Sequence, residues 1–447
     1  MQDRNLDSIL KSAVLKYQYP GASAAVSFNG FDEFSAFGIC VASEELSYDV
    51  DTFVRVGCLV KPITAIQIMK LKDDGLLDLD IPVSDIFGPE TERMGLDVFN
   101  KITCRQLLAH TSGFCQAELF GSNPVDVSNL FDYLCGTPES LLILFPPDSL
   151  TSYSSLNYIV LAAVVEKLRG KTWFKDMEDI LFYPLGINCY QIPNEGRELV
   201  YAPSGEIIGR PDFYPKDTSQ YTAKLQSGNG GCLALSAKYL LRIAKMFVRR
   251  GVAQSGNRIL SEESVNEILR VSSHPSGPMP GVKGFCYGFF KYSDGSIGLG
   301  GDGVRNHACM RFSLEEDVAL SIVTNYHSAT SLFLSVWHQY VGVGVQPKKK
   351  SSVGQKESSL ELSDIVGEYV SSARVRYIVS IEKDTCYISI EDEGAYLSMK
   401  KAGMSHVRAN HFRIDDERKF SDVHFYRFLG SEHVNFMWVG VVLCKKV

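Results

Sequence analysis

The chain has 447 residues, enough for two or three domains and an ample core. Hydrophobic residues make up 45% and charged residues 22%, as in an ordinary globular protein, and a net charge of −7 argues against a nucleic-acid or anionic-membrane partner. The longest apolar runs, such as Tyr158 to Val165, are too short to span a bilayer, and Met1-Gln2-Asp3-Arg4-Asn5 opens no apolar signal segment. The 11 Cys follow no repeated spacing, so reduced thiols in a cytoplasmic protein are expected, with no zinc pattern and no cofactor.

In chain order, Leu6 to Tyr17 has apolar residues at helical spacing and stops before Pro20-Gly21. Ala22 to Phe28, Asn29-Gly30 and Phe34 to Val41 predict a hairpin. Phe53 to Ala65 reads as a strand end, a glycine turn and the start of a helix running to about Asp74, with Gly75 as its stop. Cys58 and Lys61 are three apart, so thiol and amine share one helix face. A nucleophile at a helix N-terminus with a cation one turn on has its anion stabilised twice. The same residues also fit a buried core Cys beside an unrelated Lys.

Leu77 to Ile81 alternates apolar and acidic residues and reads as extended. Ile102 to Phe114 predicts a short helix capped by Thr103 and stopped at Gly113, with His110 as a structural hydrogen-bonding residue. Tyr153-Ser154-Ser155-Leu156-Asn157-Tyr158 leads into a helix from Ile159 to about Arg169. Ser227 to Ser236 is a glycine-rich turn before a helix from Ala237 to Arg249. Phe285–Phe289, Ser296–Leu299, Ala308–Phe312 and Ala319–Thr324 read as antiparallel strands, and Leu332–Tyr340 as a closing helix. Residues 346–360 have little to bury and read as a linker between a unit spanning 1–345 and one spanning 361–447. Past the linker, Tyr369, Tyr377–Val379, Cys386–Ile390, Ala395–Ser398, His411–Ile414, His424–Phe428 and Val434–Val442 mark short alternating strands of a small barrel.

These segments together resemble the penicillin-binding-protein and class C β-lactamase superfamily over roughly residues 10 to 340. Cys58-Leu59-Val60-Lys61 resembles its Ser-x-x-Lys motif, with Cys58 where the family has its nucleophilic Ser. Leu107 to Gly113 resembles its LLxHTSG segment. Tyr153-Ser154-Ser155 resembles its Tyr-x-Asn motif, with Ser155 replacing the Asn. The third motif, a Lys or His followed by any residue and Gly, falls at Leu299-Gly300-Gly301, without the basic residue. The resemblance implies an α/β sandwich, an antiparallel sheet flanked by helices, plus an all-helical lobe with the site between them. The last 87 residues resemble a lipocalin-like domain appended to some of these hydrolases.

Carried over, the resemblance makes Cys58 the nucleophile and Lys61 and Tyr153 the proton-handling pair. Ser155, Leu299, Gly300, Gly301 and His307 would line the substrate, and the backbone N–H of Cys58 with one near His307 to Cys309 would form the oxyanion hole. His307, oriented by Asp302, is a rival base, and Arg305 a rival anion binder. A thiol starts near a pKa of about 8.5 and needs less help from a base than an alcohol does. Its thioester reacts with amines, relative to water, more readily than an ester does. The expected activity is therefore acyl transfer to an amine or alcohol, from a small-molecule or carrier-protein-bound acyl donor, in secondary-metabolite assembly. A hydrolase using the same residues, and an inactive binding protein with three altered motif positions, are the competing expectations.

Overall fold

A computed structural model describes residues 5–41, 46–88, 91, 97–116, 130, 134, 139–187, 190–191, 233–303, 306–326, 328–341, 360–371, 375–383, 385–392, 399–415, 422–428 and 430–447. Arg305, residues 227–232, the linker through 359 and the expected strand at Ala395–Ser398 lie outside them.

The first helix, α1 (Leu6–Lys16), is capped by the Asn5 side chain, which accepts from Ser8 N–H. The hairpin β1 (Gly21–Phe28) and β2 (Phe31–Val41) turns at Asn29 and Gly30, both with positive φ, which is the geometry a two-residue hairpin turn demands. After β3 (Leu46–Ser47) and β4 (Val54–Arg55), a single tight turn at Gly57–Leu59 runs into α2 (Val60–Asp73). Cys58 therefore sits in that turn, just ahead of the α-helix. Helix α3 (Cys104–Leu108) carries the reciprocal Thr103–Gln106 cap. Helix α4 (Ser155–Arg169) starts four residues earlier than expected, directly on Ser155. Strands β5 (Tyr190–Gln191) and β6 (Leu233–Leu235) make a small sheet with β4, and α5 (Ala237–Val248) follows.

The segment expected as one strand at Phe285–Phe289 is a hairpin, β7 (Val282–Cys286) and β8 (Phe289–Tyr292). Gly288 has φ +76, and a Cβ there would lie 2.6 Å from Pro62 N, so the chain turns tightly against the start of α2. Strands β9 (Ile297–Gly303), β10 (Asn306–Ser313) and β11 (Val318–Thr324) and helix α6 (Thr330–Val341) complete this unit. The large sheet is antiparallel, in the order β3-β2-β1-β11-β10-β9-β8-β7. Helices α1 and α6 bury one face around Leu10, Ile322 and Trp337. The other face joins α2, α4 and α5 in the main core around Ile66, Val160 and Phe247.

Strands β12 (Gly367–Val370), β13 (Val375–Glu382), β14 (Thr385–Asp392), β15 (Met399–Arg408), β16 (His411–Ile414), β17 (Asp422–Tyr426), β18 (Phe436–Val439) and β19 (Val442–Lys446) close an antiparallel barrel around Tyr369, Ile388 and Phe425. Closure leaves no unpaired edge. The expected strand Val434–Val442 is two strands with a turn at Gly440, φ +61. Strand β15 is not among the strands expected from the sequence. Phe436, Trp438 and Leu443, on the outside of the barrel, belong to the main core instead.

Candidate active site

The site is built on the turn ahead of α2. Gly57 has φ +51, and a Cβ on it would fall 2.2 Å from the Asp302 carbonyl oxygen. A Cβ on Gly301 would fall 1.8 Å from Val56 O and 2.9 Å from Cys58 N. Only two glycines let β9 lie this close to the turn. The strand beside the Cys58 backbone is thus β9 at Gly301–Asp302, which corrects the expectation of an oxyanion donor from His307 to Cys309 on β10.

Cys58 is half-buried. Lys61, one turn on, is fully buried beside the Cys58 sulfur, and its ammonium donates to Ser155 Oγ at 3.3 Å. Its Nζ also lies 4.8 Å from the centre of the Tyr153 ring and 5.8 Å from that of Tyr158. Burial lowers the Lys61 pKa, and the Cys58 sulfur partly restores it. Tyr153 is buried, beside the Cys58 sulfur. Burial first, then Cys58, pushes the Tyr153 pKa well above 10, so the phenol keeps its proton.

His110 is placed as the sequence suggested. Its Nδ1 accepts from Ser154 N–H at 3.1 Å and faces Asn157 Nδ2 at 3.3 Å, and its ring lies 4.8 Å from that of Tyr153. Burial, then Lys61, holds its pKa well below 6.5, which keeps the imidazole neutral. It steadies the segment carrying Tyr153 and Ser155.

Three of the expected site residues are arranged differently. Along β9, Gly301 points at Cys58, so its neighbours Gly300 and Asp302 point to the opposite face. His307 pairs with Asp302 across β9 and β10 and shares that face. Its Nδ1 bonds Asp302 Oδ1 at 2.6 Å, and its Nε2 would lie 2.9 Å from a Cβ on Gly300, beside Cys309. Burial works against the His307 charge, but Cys309 and Asp302 outweigh it and push the pKa up to about 10. Alternation therefore turns His307 away from the Cys58 side. Leu299 shares Gly301's face but is 5% exposed, opposite Met310 in the main core. It offers an anion nothing.

Sequence reading missed Gln116. Its Oε1 accepts from Ser155 N–H at 2.7 Å and its Nε2 donates to Ser155 Oγ at 3.2 Å. It lies 39 residues from Ser155. The signal in the sequence is slight, a carboxamide three residues past Gly113 in a chain whose second motif has lost its own. Among the described residues no group of three His, Cys, Asp or Glu side chains could hold a metal ion, and no helix is long and apolar enough to cross a membrane.

The family model "Beta-lactamase" matches residues 4–339. Penicillin-binding protein 4 of Amycolatopsis lactamdurans is 27% identical over 375 residues, 79% of this chain and 94% of that protein. Esterase EstB of Burkholderia gladioli is 29% identical over 198 residues, 41% of this chain and 49% of the esterase. The solved structure of SurE with D-Leu superimposes with a TM-score of 0.74 at 19% identity, covering 98% of both chains, barrel included. A tight turn carrying Cys58 against a glycine strand, a buried Lys one turn on and Tyr153 beside that Lys accompany that match, and the chain belongs to the β-lactamase family.

Proposed function

We propose that the chain is an acyltransferase working through a thioester on Cys58. The observation that carries this reading is the convergence of Lys61 and Tyr153 on the Cys58 sulfur. A buried amine with a lowered pKa accepts the thiol proton as the sulfur attacks the donor's carbonyl carbon. The backbone N–H of Cys58 and the neighbouring Gly301–Asp302 backbone face the developing oxyanion. Tyr153, still protonated, hands a proton to the leaving thiol or alcohol, and Lys61 restores it. An amine or alcohol acceptor then attacks the thioester carbon and gives its proton to the neutral Lys61, the carbon–sulfur bond breaks, and Cys58 leaves as a thiolate that Lys61 reprotonates. A thioester loaded from a carrier-bound thioester costs little free energy, since one thioester bond replaces another.

The second reading is a hydrolase, in which water is the acceptor. It is favoured by the likeness to proteins named as an esterase and a penicillin-binding protein. One experiment separates the two. The protein and its Cys58→Ala variant are incubated with an acyl N-acetylcysteamine thioester and weighed intact. An adduct on the parent alone supports Cys58, and its faster loss with added amine than in buffer supports transfer. Equal loss in both favours hydrolysis. No adduct on either protein leaves a binding role.

A further inference from the structure

The second motif lacks its Asn, yet a carboxamide stands beside it. The Ser155 N–H is one of the first-turn donors of α4 that the helix itself leaves without a partner, and Gln116 Oε1 takes it at 2.7 Å. That bond fixes the amide's orientation, so Nε2 faces Ser155 Oγ, 3.2 Å away. The Lys61 ammonium donates to the same oxygen at 3.3 Å. Two N–H donors thus fill both lone pairs of the hydroxyl and hold its rotamer.

Gln116 is itself held from the barrel. Its backbone N–H donates to the carbonyl of Ser371, the residue after β12, at 2.9 Å. On the other side of the motif, Ser152 Oγ accepts from Leu443 N–H of β19 at 3.0 Å, in a buried contact. Strands β12 and β19 pair with each other, so the seam that closes the barrel holds the chain on both flanks of Tyr153 and Ser155. Behind the seam, Trp438 packs so closely on Gly277 that an added Cβ would meet its ring at 2.2 Å.

We infer that Gln116 is a positioning residue of the acyl site, supplying from another segment the carboxamide that residue 155 lacks, and that the barrel seam sets its place. It orients Ser155, and through Ser155 the Lys61 amine. The inference rests on Cys58 being the nucleophile.

The test is the rate of iodoacetamide capture at Cys58, followed by peptide mass spectrometry across pH, with free N-acetylcysteine as the reference thiol. Gln116→Ala is expected to slow capture about tenfold, the loss of one hydrogen bond to a charge-bearing network, and to displace the pH profile. Adding Ser155→Asn to Gln116→Ala is expected to restore both. Gly277→Val, which drives Trp438 back, is expected to give the same displaced profile without adding to Gln116→Ala. If parent Cys58 is captured no faster than N-acetylcysteine, the nucleophile reading falls and takes this inference with it. If the parent is fast and Gln116→Ala equally fast, or Ser155→Asn fails to rescue, only the role of Gln116 is overturned. A separate loss from Gly277→Val that adds to that of Gln116→Ala overturns the barrel's part in it.

Discussion

Lys61 Nζ lies 4.8 Å from the centre of the Tyr153 ring, and the sulfur of Cys58 acts on the protonation of both side chains. The two groups are burdened oppositely by burial. The amine is pushed towards neutrality and the phenol away from ionisation, so at neutral pH one is suited to accept a proton and the other to donate one.

Lys61→Met keeps the apolar stem and removes the base. Acylation of Cys58 by a thioester is expected to fall roughly 10²- to 10⁴-fold, the usual contribution of a positioned base. In the parent, the rate should rise with pH and level off below 10.5, because the folded Lys61 pKa lies below that value. Stopped-flow acylation across pH checks both, and an unbroken rise in Lys61→Met matching the parent would remove Lys61 from the mechanism.

Tyr153→Phe deletes the hydroxyl beside the sulfur and is expected to slow acylation about tenfold. His307→Gln, on the opposite face of β9 and β10, is expected to slow it much less. The reverse order in the same kinetic assay would make His307 the base.

His110 couples folding to pH. Its folded pKa is depressed below 6.5, so on acidification the unfolded chain takes up a proton that the folded chain refuses, and stability falls as pH drops through 6.5. Denaturant unfolding at pH 7.5 and pH 5 should show this difference shrink in His110→Asn.

Benzylpenicillin and D-Ala-D-Ala peptides are expected to be poor acyl donors. Their carboxylate would meet Leu299, buried against Met310, in place of a cation, losing a charge-assisted hydrogen bond of about 1.5–3 kcal/mol. Rapid acylation of Cys58 by penicillin in an intact-mass assay would refute this.

The sequence by itself determined the architecture and the local pairings. The Cys58–Lys61 spacing, the Asn29-Gly30 hairpin, the Thr103 cap and the alternating barrel strands are local patterns, and helix pitch, turn geometry and strand period convert them directly into structure. Tertiary structure decided which face each strand residue shows. Gly301 turns to Cys58 and His307 away because β9 and β10 are in register with their side chains alternating, and no motif records which alternate face meets α2. It also decided that Gln116, Ser155 and Ser371, from three distant segments, share one hydrogen-bond network. Contacts of that kind form only when separate elements close on one another, and nothing in the spacing of residues along the chain encodes them.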